Sequence, residues 1–198
     1  MMKSDLFLTR RMDRQETAEI YQQCLIRDFP PEEVKPLSEI HRLMEANRYD
    51  TLCFYEGETQ VGYAFLFRSE AQELLLLDYL AVEPDWRGHG IGHRILSELK
   101  LRYAAYRGIF IECEDPSALP DQGEAMNRIS FYLDAGARDT SVCLNLYDVV
   151  YKLFYLPCSD ESTLPDAETL LSVYREMMTP ENYRAHLKKI TERSEPLL

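Results

Sequence analysis

Leu80-Ala81-Val82-Glu83-Pro84-Asp85-Trp86-Arg87-Gly88-His89-Gly90-Ile91-Gly92 joins an apolar run to an amphipathic one through three alternate glycines. Upstream, Glu73 to Val82 is a long apolar stretch, and its continuous leucines, Leu74 to Leu77, fit a strand buried on both faces. Downstream, Ile91, Ile95, Leu99 and Tyr106 recur at nearly helical intervals. A glycine turn between strand and helix lets successive backbone amides converge with no side chain in the way. The helix N-terminus adds partial positive charge, so the segment suits a phosphate or pyrophosphate.

Two familiar phosphate loops do not fit it. A dinucleotide fingerprint needs G-x-G-x-x-G, and after Gly88 and Gly90 the third position is His93. Glu112 does lie about 20 residues on, but Pro84 and Trp86 intervene between strand and glycines, and further βαβ units are absent. A Walker A loop fails for want of Gly-Lys-Ser/Thr.

Working outward, Leu6 to Met12 alternates as a first strand. Asp13-Arg14-Gln15-Glu16 has the form of a capping box, and Ile20, Tyr21, Cys24 and Leu25 follow at helical spacing. Phe29-Pro30-Pro31 ends that helix. Leu37, Ile40, Leu43 and Met44 mark a second one. Thr51 to Tyr55 and Gln60 to Phe67 read as strands joined by Glu56-Gly57-Glu58-Thr59, a hairpin signal. Gly108 opens another strand through Glu114, a helix covers Arg128 to Ala135 with Gly136 as its left-handed C-cap, and Ser141 to Leu156 carries one or two strands.

Beyond Pro157 the pattern becomes helical. Ala167, Leu170, Leu171, Tyr174, Met177 and Met178 form an apolar stripe, and Thr179-Pro180 restarts a helix with Tyr183, Leu187 and Ile190 on one side. The natural division is a mixed α/β domain over residues 1–158 and a helical extension over 159–198, packed on the domain or on a second copy in a homodimer.

The 198 residues carry 34 Asp plus Glu against 22 Lys plus Arg, a net charge of −12. General nucleic-acid binding rests on a basic field that this chain lacks. The apolar runs are strand-length, short of the roughly 20 residues that cross a bilayer, and Met1 to Asp5 leads into no apolar leader. Five scattered cysteines without a CxxC pair read as free thiols in a cytoplasmic protein. His41, His93 and His186 show no metal-ligand spacing, so no metal is expected.

Arg87-Gly88-His89-Gly90-Ile91-Gly92 resembles the R/Q-x-x-G-x-G/A motif of the GCN5-related N-acetyltransferases (GNAT), with Leu80 to Pro84 similar to that family's fourth strand and its exit. Arg128-Ile129-Ser130-Phe131-Tyr132-Leu133-Asp134-Ala135-Gly136-Ala137 resembles its downstream motif, although Ala137 replaces the usual Phe and the upstream asparagine is not at its common spacing. The resemblance covers roughly residues 5 to 157, and the order of elements agrees. It implies a mostly antiparallel central sheet, splayed in a V between its fourth and fifth strands and flanked by helices.

For function, the resemblance implies acetyl-CoA as co-substrate and an amine, small-molecule or peptidic, as acceptor. Amides of Arg87, Gly88, His89, Gly90, Ile91 and Gly92 would hold the pyrophosphate. The backbone of Leu80, Ala81 and Val82 would pair with the pantetheine arm and polarise the acetyl carbonyl, as oriented donors do at a developing oxyanion. Tyr132 would protonate the leaving thiolate, a task its phenol suits. For the base that deprotonates the amine, Glu112 is the first choice, with Glu114, on the same strand face, Asp78 and a water chain as the others. A non-catalytic CoA-binding or regulatory module whose C-terminal helices meet a partner is the alternative, and a flavodoxin-like or NAD-binding protein a third.

Overall fold

The computed structural model describes residues 7–159 and 163–192. The Met1–Asp5 segment read for a leader lies outside them. The chain divides into two compact units, Met1–Arg68 with Leu77–Leu99, and Ser69–Leu76 with Lys100–Leu198.

In the first unit, β1 (Phe7–Arg11) leads to α1 (Arg14–Ile20). The capping box forms as expected: Asp13 accepts from the Glu16 amide, and the Asp13 amide donates to Glu16 Oε2 at 2.9 Å. The helix then widens into a π turn at Tyr21–Leu25, which the apolar spacing does not announce, and closes with α2 (Ile26–Asp28) before extended Phe29. α3 (Leu37–Glu45) precedes the hairpin of β2 (Tyr49–Glu56) and β3 (Thr59–Ser69), which turns on Gly57 and Glu58. Thr17 on α1 meets Thr51 on β2, hydroxyl to hydroxyl at 2.8 Å, with both residues fully buried. β4 (Leu74–Val82), which belongs to this unit from Leu77, follows β3, and a single 3₁₀ turn at Pro84–Trp86 connects it to α4 (Ile91–Arg102), which belongs to it as far as Leu99.

Gly62 sets how closely this unit packs. A Cβ there would lie 2.7 Å from the Ala81 carbonyl oxygen and 2.9 Å from the Ile95 side chain. The absence of a side chain lets β3, the end of β4 and α4 close on one another behind the glycine turn.

The second unit holds β5 (Gly108–Glu114), α5 (Gly123–Asp134), β6 (Arg138–Leu146) and β7 (Val149–Pro157). α6 (Ala167–Met177), α7 (Pro180–His186) and β8 (Leu187–Glu192) complete it. α5 begins five residues ahead of the Arg128 start read from the sequence, and it ends at Gly136 in the left-handed region. The stripe on α6 is buried at Leu170, Val173, Tyr174 and Met177, with the Tyr174 ring against Phe110 of β5 at 5.7 Å between centroids.

One expectation fails: the last helix stops at His186, and Leu187–Glu192 is a strand antiparallel to β6. The unpaired edge of β6 offers donors and acceptors that a further helical turn would leave unmet. Contacts at the turn fix the return, since the Tyr147 amide donates to the His186 carbonyl at 3.1 Å and their rings stack 4.3 Å apart.

The strand order is β1-β2-β3-β4-β5-β7-β6-β8. β4 and β5 are parallel, joined through α4 as a crossover requires, and the sheet is otherwise mostly antiparallel. The fold class is therefore mixed α/β, as read from the sequence. No helix among the described residues is long and apolar enough to cross a membrane.

Candidate active site

β4 passes from buried residues at Leu74–Leu77 to half-buried ones at Leu80, Ala81 and Val82. The chain then turns sharply, with the Trp86 amide donating to the Glu83 carbonyl at 2.9 Å and the Arg87 amide to the Pro84 carbonyl at 3.2 Å. Gly88 and Gly90 both have φ of +77°, in the left-handed region, and a Cβ at either would meet nothing within 4 Å. The Gly90 carbonyl accepts from the Arg94 amide at 3.1 Å and so starts α4. Amides in the first turn of a helix have no intrahelical acceptor. An open turn whose two left-handed residues carry no side chain, feeding such a helix start, is suited to cradle an anion.

The root of this turn is cross-braced. Arg87 Nε donates to the Val82 carbonyl at 3.1 Å, and its guanidinium lies 3.7 Å from Asp28. Asp28, at the end of the first helical segment, also accepts two bonds of 2.9 Å from Arg27 and one of 3.0 Å from the Tyr63 hydroxyl. Arg27 reaches on to Glu83 at 3.1 Å. Cys24, in the π turn, points at Glu83 from 3.6 Å; burial and that carboxylate push its thiol up to about 11.

Asp78, on β4 two residues before Leu80, carries a further cluster. Its side chain is 3% exposed; it pairs with Lys35 Nζ at 2.5 Å and accepts from the Tyr49 hydroxyl. Tyr79 accepts from the Lys35 amide at 2.8 Å and donates to the Glu33 carbonyl at 2.8 Å. The segment between α2 and α3 is thereby strapped to β4.

In the second unit, Tyr132 lies on the buried side of α5. Burial raises its phenol above the ordinary tyrosine value; the nearby Cys113 thiol adds to the rise and Arg128 opposes it. Cys113 is itself pushed up to about 12, chiefly by burial. Strand alternation sends Glu112 to the opposite side of β5 from Cys113. There Glu112 Oε1 accepts from the Tyr174 hydroxyl of α6 at 2.6 Å. Glu114 lies 3.6 Å from Arg128, and Asp115 lies 3.3 Å from Lys152.

The cofactor residues read from the sequence, Leu80–Val82 and Arg87–Gly92, thus form one continuous feature of the first unit. Glu112 and Tyr132 belong to the second and sit on different sides of β5. Lys35, Tyr49 and Tyr174 escape a reading of local motifs, because each meets its carboxylate across 29 or more residues of chain.

A family model described as the acetyltransferase (GNAT) domain matches residues 47–136. The fold is similar to that of a GNAT-family protein from Bacteroides thetaiotaomicron, at TM-score 0.60 and 20% identity, covering 77% of this chain and 88% of that one. It is also similar to the ribosomal-protein-S18-alanine N-acetyltransferase from Escherichia coli (TM-score 0.57, 15% identity, 78% and 95% covered). A third likeness is to spermidine N-acetyltransferase from Vibrio cholerae, solved with CoA and spermine (TM-score 0.58, 11% identity, 78% and 97% covered). A comparison with curated proteins finds no match. The matched segment takes in the strand exit, the glycine turn and the Tyr132 helix, so this part of the chain is similar to a GNAT acetyltransferase domain.

Proposed function

We propose that the chain transfers an acetyl group from acetyl-CoA to a primary amine by direct attack within a ternary complex. The observation that carries this reading is the turn at Gly88 and Gly90, left-handed and open where a Cβ would stand, at the foot of α4. The pyrophosphate rests on the amides of Arg87 to Gly92, and the thioester arm runs along Leu80 to Val82, residues whose half-buried position supports that role. The amine nitrogen attacks the thioester carbonyl, forming the C–N bond and breaking the C–S bond. Its proton passes to Glu112, with Glu114, Asp78 and water as the other routes, and Tyr132 supplies the proton that the departing thiolate takes up. A buried phenol held neutral is suited to donate. Proximity and orientation supply most of the acceleration in such a complex.

The acetyltransferase domain extends over residues 1–158 in this proposal, with 159–198 as an extension. The free thiols among the described residues support a reducing, cytoplasmic setting. Thermal shift with acetyl-CoA, followed by an amine screen with detection of released thiol, is the test. A rise in melting temperature and thiol release with at least one amine are expected. No stabilisation at millimolar acetyl-CoA overturns the reading, and stabilisation without transfer to any amine favours a CoA-binding module.

A further inference from the structure

Lys35 places a primary alkylammonium on a nearly enclosed carboxylate. Its Nζ lies 2.5 Å from Asp78 Oδ1, with Asp78 3% and Lys35 18% exposed at their side chains. The Tyr49 hydroxyl donates to the other carboxylate oxygen, and the ammonium stands 5.7 Å from the centre of the Tyr79 ring. Carboxylate, hydroxyl and aromatic face together form a receptor for an alkylammonium. Lys35 reaches it from a segment that enters along Phe29-Pro30-Pro31, with the Phe29 ring edge-on to Tyr79 at 5.0 Å.

The position along β4 gives this receptor a use. Asp78 precedes Leu80 by two residues, about 7 Å along an extended strand. Leu80 begins the stretch proposed to carry the thioester arm, so a cation on Asp78 sits immediately upstream of that stretch on the same strand. We infer that Asp78, Tyr49 and Tyr79 form a subsite for a second ammonium of the acceptor, and that Lys35 fills it as a displaceable internal cation. The inference rests on the acetyltransferase reading and names the class of acceptor: a short diamine or polyamine, one nitrogen on Asp78 and another attacking. Lys35 then competes with the substrate and weakens its binding until displaced.

The test compares 1,4-diaminobutane with n-butylamine, which has the same carbon chain and lacks the second ammonium. KM and kcat are measured for each with wild type, Lys35→Met and the double variant Lys35→Met/Asp78→Asn. Lys35→Met keeps the apolar stem, and the double variant leaves no buried charge unpaired. If the methionine variant folds poorly, Lys35→Gln takes its place. The expected result is a KM for diaminobutane lowered roughly tenfold by Lys35→Met, which corresponds to about 1.4 kcal/mol. With Lys35→Met, turnover of butylamine stays within about twofold, on the scale of a surface-type substitution, and the double variant loses the gain seen with diaminobutane. A structural strap would move both amines together. Equal effects on the two amines, no effect on either, or a gain that survives removal of Asp78 overturns the inference. So does the lack of turnover of either amine by any variant while acetyl-CoA still raises the melting temperature. Loss of that acetyl-CoA shift in the wild type instead overturns the acetyltransferase reading.

Discussion

Tyr174 of α6 donates its hydroxyl hydrogen to Glu112 of β5 at 2.6 Å, from a ring that is fully buried beside Phe110. A carboxylate proposed for proton transfer is therefore held by the segment that lies beyond residue 158. Removing the donor with Tyr174→Phe is expected to cost about 1.5–3 kcal/mol, the range for hydrogen bonds to charged groups. Urea unfolding measures it, and an unchanged midpoint would show the bond to be energetically idle.

Tyr132→Phe separates proton donation from packing. The ring stays, so acetyl-CoA should still raise the melting temperature, while kcat falls roughly a hundredfold or more, the usual scale for a lost general acid. An unchanged kcat removes Tyr132 from the chemistry. The raised phenol also sets a pH trend. The folded state favours the protonated form, so this stabilisation is whole below about pH 10, the ordinary tyrosine value, and is lost as pH rises through the higher folded value. In Tyr132→Phe the alkaline fall in stability should be shallower.

Gly62→Ala and Gly90→Ala should fail for different reasons. At Gly62 the new methyl meets the Ala81 carbonyl and Ile95, an overpacking cost of about 1–3 kcal/mol. It should also weaken acetyl-CoA binding, because β3 must withdraw from the strand proposed to carry the thioester. At Gly90 there is room, and the cost is about 1 kcal/mol of left-handed strain. Comparison of melting temperatures with and without acetyl-CoA distinguishes the two. Equal losses in the apo protein would contradict the packing difference.

Acid should loosen the second unit through Asp115. Burial alone would raise this carboxyl, yet the Ser117 amide and hydroxyl together with Lys152 hold it below the ordinary aspartate value. Its contribution is present above about pH 4 and is lost as pH falls through the depressed folded value. Asp115→Asn should flatten the acid limb of the stability profile while lowering stability at neutral pH. A profile parallel to wild type would show that other carboxylates dominate.

Thiol titration provides a check on packing. Cys24, Cys53, Cys113 and Cys143 are buried, and Cys158 is only partly covered. Burial pushes Cys158 up to about 11, so even it should react slowly with Ellman's reagent at neutral pH, but ahead of the rest. Rapid reaction of a second thiol in the native protein would contradict the burial described.

Local chemistry accounts for what could be read before the structure. Asp13 and Glu16 meet within one helical turn, Gly57 supplies the turn conformation between β2 and β3, and Gly136 ends α5 where a side chain would be strained. The glycine turn proposed as an anion cradle is legible for the same reason, since its amides are consecutive in the chain. What stayed hidden depends on distant partners. Leu187 to Glu192 has a periodicity that suits a helix, and only the open edge of β6 makes it a strand. Tyr147 and Asp148 turn a hairpin in the left-handed region without glycine, helped by His186 and Lys188 from the far end of the chain. Asp78 was visible as a carboxylate on a strand, but its tethered cation comes from Lys35, 43 residues earlier.

The glycines of the first unit divide by what they lack. At Gly62 the chain needs smallness, and an added Cβ would collide. At Gly88 and Gly90 it needs freedom from chirality, since space is open but the backbone is wound the other way. A D-alanine introduced by chemical synthesis should therefore be welcome at Gly88 or Gly90, and should even stiffen the unfolded chain in the protein's favour. In this turn it is handedness, and not bulk, that keeps side chains off Gly88 and Gly90.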